Sequence, residues 1–568
     1  MKFSFVFLFF LLVAFFGKAQ QIISPKKLFT IDSLLKVDVT GPGYALGIVK
    51  NGELVYSKGY GKANLDYNIS ISDTTAFYIG SMAKQFTAAA LLILETQGKL
   101  NFERPVTDYL PDFPVYNHEI RVSHLIHHTS GIRETNSLQL FQGIDRNFEE
   151  VFGTDDLYQL IKHQKGLNFR PGTEFRYSSG GYAVLAKIIE KVSGQSLRRF
   201  LDKHVFEPLG MHHTFVCDNH NEIVFNRAVS YWPIENGVYE RRLQVFDAYG
   251  DGGIITTVQD LAKWDKAFYQ DVLGIEDFAT KMYRKGVLND GAEIDYAFAL
   301  NVWKHRGQKV VQHNGGMLGF RVDMVRFPKH KTSIILLGNS SYLYPTWDGL
   351  KVAEIVLEDV FEKGIVESEK NQKPSKKTTI PKSIAESRAG YYWTDEMNYY
   401  RRISFDNDSL FLDSGNIEQR TYLIPVSQNE YVQQGSNDKT RLYFDSKNNK
   451  TPLQIDYGKV KRDFREFDAT PPQQLTELKK YVGIYQSEEL NATYVFYNTK
   501  DRLFLEINNS TTIQVYPTED NSNIVWNGTK MLWIGFGEIK FQFTEGVVTG
   551  FDIGDQRVGG VYFKKKSI

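Results

Sequence analysis

The chain predicts an α+β domain followed by an all-β region of small barrels, and three observations carry that reading. Strand patterns stand at both ends of residues 25–365 with helical patterns between them, so one sheet is closed by both ends of the segment and covered by helices. Composition changes abruptly at Glu367, and 366–387 reads as a linker rich in Lys, Glu, Ser, Thr and Pro. Beyond it helix signals stop and short strands with turn residues continue to the C-terminus. At 568 residues the chain is too long for a single core, which agrees with several domains.

The elements follow in order. Met1-Lys2 precedes an apolar run from Phe3 to Phe16, which is shorter than the roughly 17–25 residues that span a bilayer as a helix. Gly17-Lys18-Ala19 gives a small-residue exit, so 1–19 reads as a cleaved signal peptide, with a retained N-terminal anchor as the alternative. Cleavage leaves no stable membrane anchor. Tyr44–Val49 and Leu54–Lys58 flank Asn51-Gly52, a pair suited to a type I′ hairpin turn. From Ser81 the chain runs Ala83-Lys84-Gln85-Phe86-Thr87-Ala88-Ala89-Ala90-Leu91-Leu92-Ile93-Leu94-Glu95, apolar nearly all round. That composition predicts a central buried helix, with Gly98 as its C-terminal stop. Helices are expected at 123–128, 154–162, 182–192, 197–205, 257–269 and 347–363, and strands at 309–312, 320–326 and 332–337.

The all-β region repeats itself. Gly390, Asn398 and Leu410-Phe411-Leu412 match Gly483, Asn491 and Leu503-Phe504-Leu505 at a constant offset of 93 residues. Each copy holds about eight strand candidates, enough to close a small barrel. Residues 388–468 and 475–568 therefore read as two tandem barrels, with one larger barrel as the alternative.

Charge and cysteine content exclude several roles. Sixty-seven basic and 67 acidic residues give a net charge of +0 without a basic stripe, so no nucleic acid is expected. Cys217 is the only cysteine, which rules out an intrachain disulfide and suits a buried small apolar residue.

Three motifs carry chemistry in a fixed order: Ser81-Met82-Ala83-Lys84, Tyr177-Ser178-Ser179 and His313-Asn314-Gly315. A serine hydroxyl needs a base to become a nucleophile, and residues three apart at a helix start share a face. The helix N-terminus also favours developing negative charge. Ser24-Pro25-Lys26-Lys27 fits the same Ser-x-x-Lys pattern but heads no long apolar helix. A tyrosine phenol beside a lysine can shuttle protons, although Tyr177 alone could equally be a packing residue before a serine N-cap. Glycines after His313 let a substrate approach a strand edge, although the segment alone could be a Gly-rich turn. His124, His127, His128 and His212-His213 lack the ligand set of a zinc site, so no metal is expected.

Together these motifs resemble the serine-reactive penicillin-recognising hydrolases, in the branch of class C β-lactamases, DD-peptidases, D-aminopeptidases and related esterases. The resemblance covers about residues 25–365. It extends to Gly59-Tyr60-Gly61-Lys62-Ala63, Leu125-Ile126-His127-His128-Thr129-Ser130-Gly131, Glu207-Pro208-Leu209-Gly210-Met211 and Gly252-Gly253-Ile254-Ile255-Thr256-Thr257. It implies a β-lactamase/transpeptidase-like antiparallel sheet flanked by helices. Ser81 is then the nucleophile, Lys84 its base and Tyr177 the proton shuttle, with His313 in the place of the third-motif lysine. The backbone N–H groups of Ser81 and Gly316 form the oxyanion hole, and no cofactor is needed. Ser179, Asn314, Gly315 and Arg321 are candidate substrate contacts. Ser179 replaces the usual asparagine and Asn314 the usual threonine, which weakens the case for efficient β-lactam cleavage. The expected function is an exported, periplasmic or secreted serine hydrolase acting on D-amino-acid peptides, amides or small esters. The alternative is a slowly deacylating or non-catalytic binding protein. The C-terminal copies resemble lipocalin-like barrels appended to such hydrolases, and a homo-oligomer is left open.

Overall fold

The structure, a computed structural model, describes residues 23–144, 151–234, 237–361, 380–394, 399–406, 408–413, 420–433, 440–444, 453–456, 461–467, 478–500, 502–509, 511–517, 523–525, 539–555 and 557–566. The N-terminal apolar run, most of the linker, Asn398 and the Pro471-Pro472 junction lie outside these residues.

Asn51 and Gly52 take φ of 55° and 79°, the positive pair that a type I′ turn requires, and they join β1 (Tyr44–Lys50) to β2 (Glu53–Tyr60). Four later strands complete the sheet: β3 (Asn301–His305), β4 (Gln308–Met317), β5 (Phe320–Phe327) and β6 (Thr332–Gly338). The order is β3-β4-β5-β6-β1-β2, antiparallel throughout, so the first and last strands in sequence lie side by side. Successive side chains alternate between faces. Leu46, Ile48, Val325, Ile334 and Leu336 pack into one core with Ile31 of α1 (Pro25–Leu34). Val322, Met324, Ile335 and Leu337 join the larger core on the other face. That larger core surrounds α2 (Lys84–Thr96), whose residues from Lys84 to Leu94 are all buried. Gly98, at φ 68°, ends the helix, and Lys99 N returns to Leu94 O at 2.9 Å.

Two expectations shift. The helix begins as a 3₁₀ turn over Gly80–Ala83, so Ser81 stands on the tight turn and Lys84 on the first α residue. The third motif is not a turn between strands: β4 runs through it to Met317, well beyond the end of β3. The remaining helices include α3 (Ser179–Ser193), α4 (Val258–Lys266) and α5 (Pro345–Val356).

The C-terminal region forms two closed eight-stranded barrels, from Gly390 to Phe467 and from Gly483 to Lys565. The repeat is visible in detail. Gly390 and Gly483 open the first strands, and Leu410–Leu412 and Leu503–Leu505 lie in the third strands. Tyr392 and Tyr485 each donate a buried hydrogen bond four residues back, to Arg388 O and Tyr481 O, both at 2.8 Å.

The second barrel shares its core with the α+β domain. Leu138, Leu140, Phe141 and Leu160 belong to the same apolar cluster as Tyr494, Phe551 and Phe563 of the barrel. Fully burying a side chain of this size contributes about 2 kcal/mol. Polar groups close the seam. Tyr494 Oη donates to Phe141 O at 2.7 Å, and Gln142 Nε2 donates to Leu490 O at 2.7 Å. Arg133 and Glu489 form an ion pair at 2.5 Å with side chains 9% and 10% exposed. The same carboxylate accepts from Lys165 N at 2.8 Å. Removing one partner of a buried pair leaves the other charge uncompensated, so Glu489→Gln is expected to lower stability by about 3 kcal/mol. The check is the urea unfolding midpoint; an unchanged midpoint would assign the seam to its apolar contacts alone.

Candidate active site

The site is built where β4 meets the turn before α2. Gly80 sits at φ 49°, and a Cβ there would come within 2.9 Å of Gly316 N. A Cβ on Gly315 would lie 1.9 Å from the Ile79 carbonyl oxygen. Only glycine permits both approaches. The turn that carries Ser81 is thereby held in backbone contact with β4. Residues 308–312 of β4 pair with β3, and the pairing stops there, so the edge at 313–317 runs past its neighbour.

Ser24, the competing serine of the first motif, is the N-cap of α1 and accepts from Lys27 N at 3.3 Å. Ser81 has a different environment. Lys84 Nζ donates to Ser81 Oγ at 3.1 Å and to the Asp251 carbonyl at 2.5 Å. Lys84 is fully buried, and its ammonium lies 5.1 Å from the Tyr177 ring centroid and 5.6 Å from that of Tyr182. The loop that presents Asp251 is shaped by Gly250 and Gly253, at φ 94° and 74°. Thr87 Oγ1 fastens it to α2 through Gly250 O at 2.8 Å.

Tyr177 lies just ahead of α3. Its ring lies 4.1 Å from that of His128 at a 35° tilt, and its hydroxyl is buried without a hydrogen-bond partner among the described residues. His128 Nδ1 accepts from Ser178 N at 3.2 Å. Burial, and then the Lys84 charge, push His128 well below the usual histidine range.

His313 is 2% exposed on the helix-covered face of the sheet. Its Nδ1 lies 2.6 Å from Asn314 O, which can only accept, so Nδ1 carries the proton. Nε2 then accepts from Tyr296 Oη at 3.0 Å. Burial and the Lys84 charge lower His313 to about 4. It is a neutral imidazole at neutral pH, whereas a lysine there would be a cation.

The structure thus brings Ser81, Lys84, Tyr177 and His313 together, with Gly315 and Gly316 against the turn that carries Ser81. Two expected substrate contacts are corrected. The pleat turns Asn314 and Arg321 to the sheet face opposite His313. Asn314 is exposed there. Arg321 Nη1 donates back to Leu318 O at 3.1 Å and Phe320 O at 2.7 Å. Ser179 opens α3, and its N–H donates to Glu134 Oε2 at 2.7 Å. Tyr296, Glu134 and the Asp251 carbonyl were missed by sequence reasoning. None lies in a patterned motif, and Asp251 acts through its backbone.

Comparisons place this geometry. The Beta-lactamase family model matches residues 31–355. Penicillin-binding protein 4* of Bacillus subtilis (strain 168) is 30% identical over 311 residues, covering 51% of this chain and 66% of that protein. A D-aminopeptidase of Gluconobacter oxydans (strain 621H) is 25% identical over 311 residues, covering 54% of this chain and 57% of that protein. The matches therefore span two thirds or less of these relatives' own length. Among solved structures, the octameric penicillin-binding protein homologue from Pyrococcus abyssi superposes with a TM-score of 0.55 at 23% identity, over 77% of this chain and 99% of that one. The penicillin-binding protein from Bacillus halodurans gives 0.50 at 25% identity, over 58% and 99%. A family match over more than half of the chain, on a fold shared with penicillin-binding proteins, makes this protein a member of the Beta-lactamase family.

Proposed function

We propose that this protein is an exported serine hydrolase that works through an acyl-enzyme on D-amino-acid-containing peptides or amides, or on small esters. The observation that carries the reading is the Lys84–Ser81 hydrogen bond at 3.1 Å, with the Tyr177 ring centroid 5.1 Å from the same ammonium and the Tyr177 hydroxyl buried without a hydrogen-bond partner among the described residues. Penicillin-binding proteins and D-aminopeptidases among the relatives support the substrate class, and the N-terminal apolar run supports export.

The reaction follows from these groups. With Lys84 as the free amine, the Ser81 hydroxyl proton passes to Nζ as Oγ bonds to the substrate carbonyl carbon. The carbonyl oxygen becomes an oxyanion facing the Ser81 and Gly316 N–H groups. The proton then passes by way of Tyr177 to the leaving nitrogen or oxygen as its bond to carbon breaks. Water repeats the sequence on the ester, returning a proton to Ser81 and releasing the acid. His313 holds Tyr296 and lines the edge as a neutral group, which suits an uncharged acyl portion.

A second reading, slow deacylation in a binding or sensing role, is favoured by one observation: the third motif offers a neutral imidazole where a lysine would supply charge. An octameric relative is also consistent with assembly into a homo-oligomer.

Ser81→Ala is expected to lower kcat/KM for 4-nitrophenyl acetate by about 10⁴-fold, and Tyr177→Phe by about 10²-fold. Intact mass after mixing separates the two readings. A transient +42 Da adduct, absent in Ser81→Ala, accompanies turnover, and an adduct of that acetyl mass that persists for hours sinks the turnover reading (about 42 Da is the acetyl increment).

The pH dependence has a defined sign. His313 is neutral in the folded protein down to about pH 4, whereas an unfolded histidine protonates near its usual 6.5. The unfolded chain therefore binds more protons between these values, and the histidine's contribution to stability is lost as pH falls through that window. His313→Gln is expected to flatten the acid side of the stability profile between about pH 6.5 and 4. Parallel profiles for the two proteins in urea titrations would contradict this assignment.

A further inference from the structure

The second barrel carries a cation to the catalytic cleft. Its last two strands, Val547–Asp555 and Val558–Lys565, meet in a turn that presses on the α+β domain. Asn168 clamps the turn from both sides: Nδ2 donates to Arg557 O at 2.7 Å, and Oδ1 accepts from Gly559 N at 2.8 Å. The buried Asp555 carboxylate accepts from Arg557 N at 2.7 Å and Val558 N at 2.8 Å. Arg133, already paired with Glu489, donates to Gly560 O. These bonds fix the backbone of Arg557 without engaging its guanidinium.

The Arg557 guanidinium lies over the Tyr177 ring, with its carbon 5.7 Å from the ring centroid. Its nearest carboxylate oxygen is Glu134 Oε2 at 3.9 Å, an atom already accepting from Ser179 N at 2.7 Å. That contact is long for a hydrogen bond, and the arginine side chain remains 46% exposed. Other charged groups around the cleft are committed. Lys84 serves Ser81 and Asp251, Arg321 is folded back on carbonyls across the sheet, and His313 is neutral. Among the described residues, an anionic substrate group near Tyr177 therefore meets the Arg557 guanidinium with donors to spare.

We propose that Arg557 is a specificity-determining residue that binds a carboxylate on the leaving-group side of the scissile bond. The barrel then selects substrates that release an amino acid bearing a free α-carboxylate. Tyr177 is the group that hands a proton to the leaving atom, so the guanidinium above its ring is within reach of substituents on that side. An arginine fork matches a carboxylate in two parallel hydrogen bonds. The inference rests on the acyl-enzyme reading above.

The test compares D-alanyl-D-alanine with D-alanyl-D-alaninamide, which caps the carboxylate, in the full-length wild type, Arg557→Gln and Arg557→Lys. Arg557→Gln is expected to lower kcat/KM for the free acid by about 10- to 100-fold and to change that for the amide by less than about threefold. Arg557→Lys should restore part of the loss, because charge is kept and the fork is not. Equal losses on both dipeptides, or no loss on the free acid, overturn the proposal. So does Ser81-dependent hydrolysis of 4-nitrophenyl acetate by a wild type that cleaves neither dipeptide. If the acetate is not hydrolysed, or is hydrolysed equally by Ser81→Ala, the acyl-enzyme reading fails and this inference falls with it. Thermal unfolding of the variants separates a folding defect from a loss of recognition.

Discussion

The site depends on one close approach of two backbones. Ile79-Gly80 and Gly315-Gly316 meet at distances that leave no room for a side chain on Gly80 or Gly315. The contact joins the start of the central helix to the sheet edge, so the serine and the strand cannot drift apart as side-chain packing fluctuates. A site held by main chain is stiffer than one held by rotamers, and the proposed acyl transfer would gain from that stiffness. Burial of α2 follows from the same geometry. A helix that starts against the sheet must run through the interior, and its alanines and leucines allow it to be covered on all sides.

Two buried cations in the domain show how charge is used differently. Arg326 meets Asp265 at 2.7 Å, with side chains 1% and 0% exposed, and stacks on Phe268. That charge is compensated and belongs to the framework. Lys84 is equally buried, yet its described partners are a hydroxyl, a carbonyl and two aromatic rings. Burial, and then the Lys84 charge, hold both His128 and His313 below the usual histidine range, so the two imidazoles beside the lysine are neutral. In the proposed reaction, a proton moving between lysine, serine and tyrosine would meet only weakly basic imidazoles.

Much of this was legible in the sequence because it rests on local rules. The Asn51-Gly52 turn, the alanine-rich helix and the order of Ser81, Tyr177 and His313 are patterns within short windows. The repeat offset of 93 residues exposed the two barrels because each copy carries the same strand pattern. What escaped depends on distance in the chain. The pleat that carries Asn314 and Arg321 to the far face depends on strand register, and the motif spacing alone did not fix where β4 ended. Tyr296 finds His313 only after β3 and β4 have paired. Glu134 and Arg557 meet across a seam between parts of the chain that sequence reading treated as separate domains.

That seam redraws the boundary of the heritable unit. By sequence, the natural place to exchange or discard material is the charged linker after Glu367. By packing, Leu138, Leu140, Phe141 and Leu160 of the α+β domain belong to the interior of the last barrel, and Arg133 finds its counter-charge there. Recombination at the linker would leave those side chains facing water and strand an arginine without its acid. The final barrel and the domain it covers must therefore be inherited together, with substitutions on one side of the seam answered by substitutions on the other.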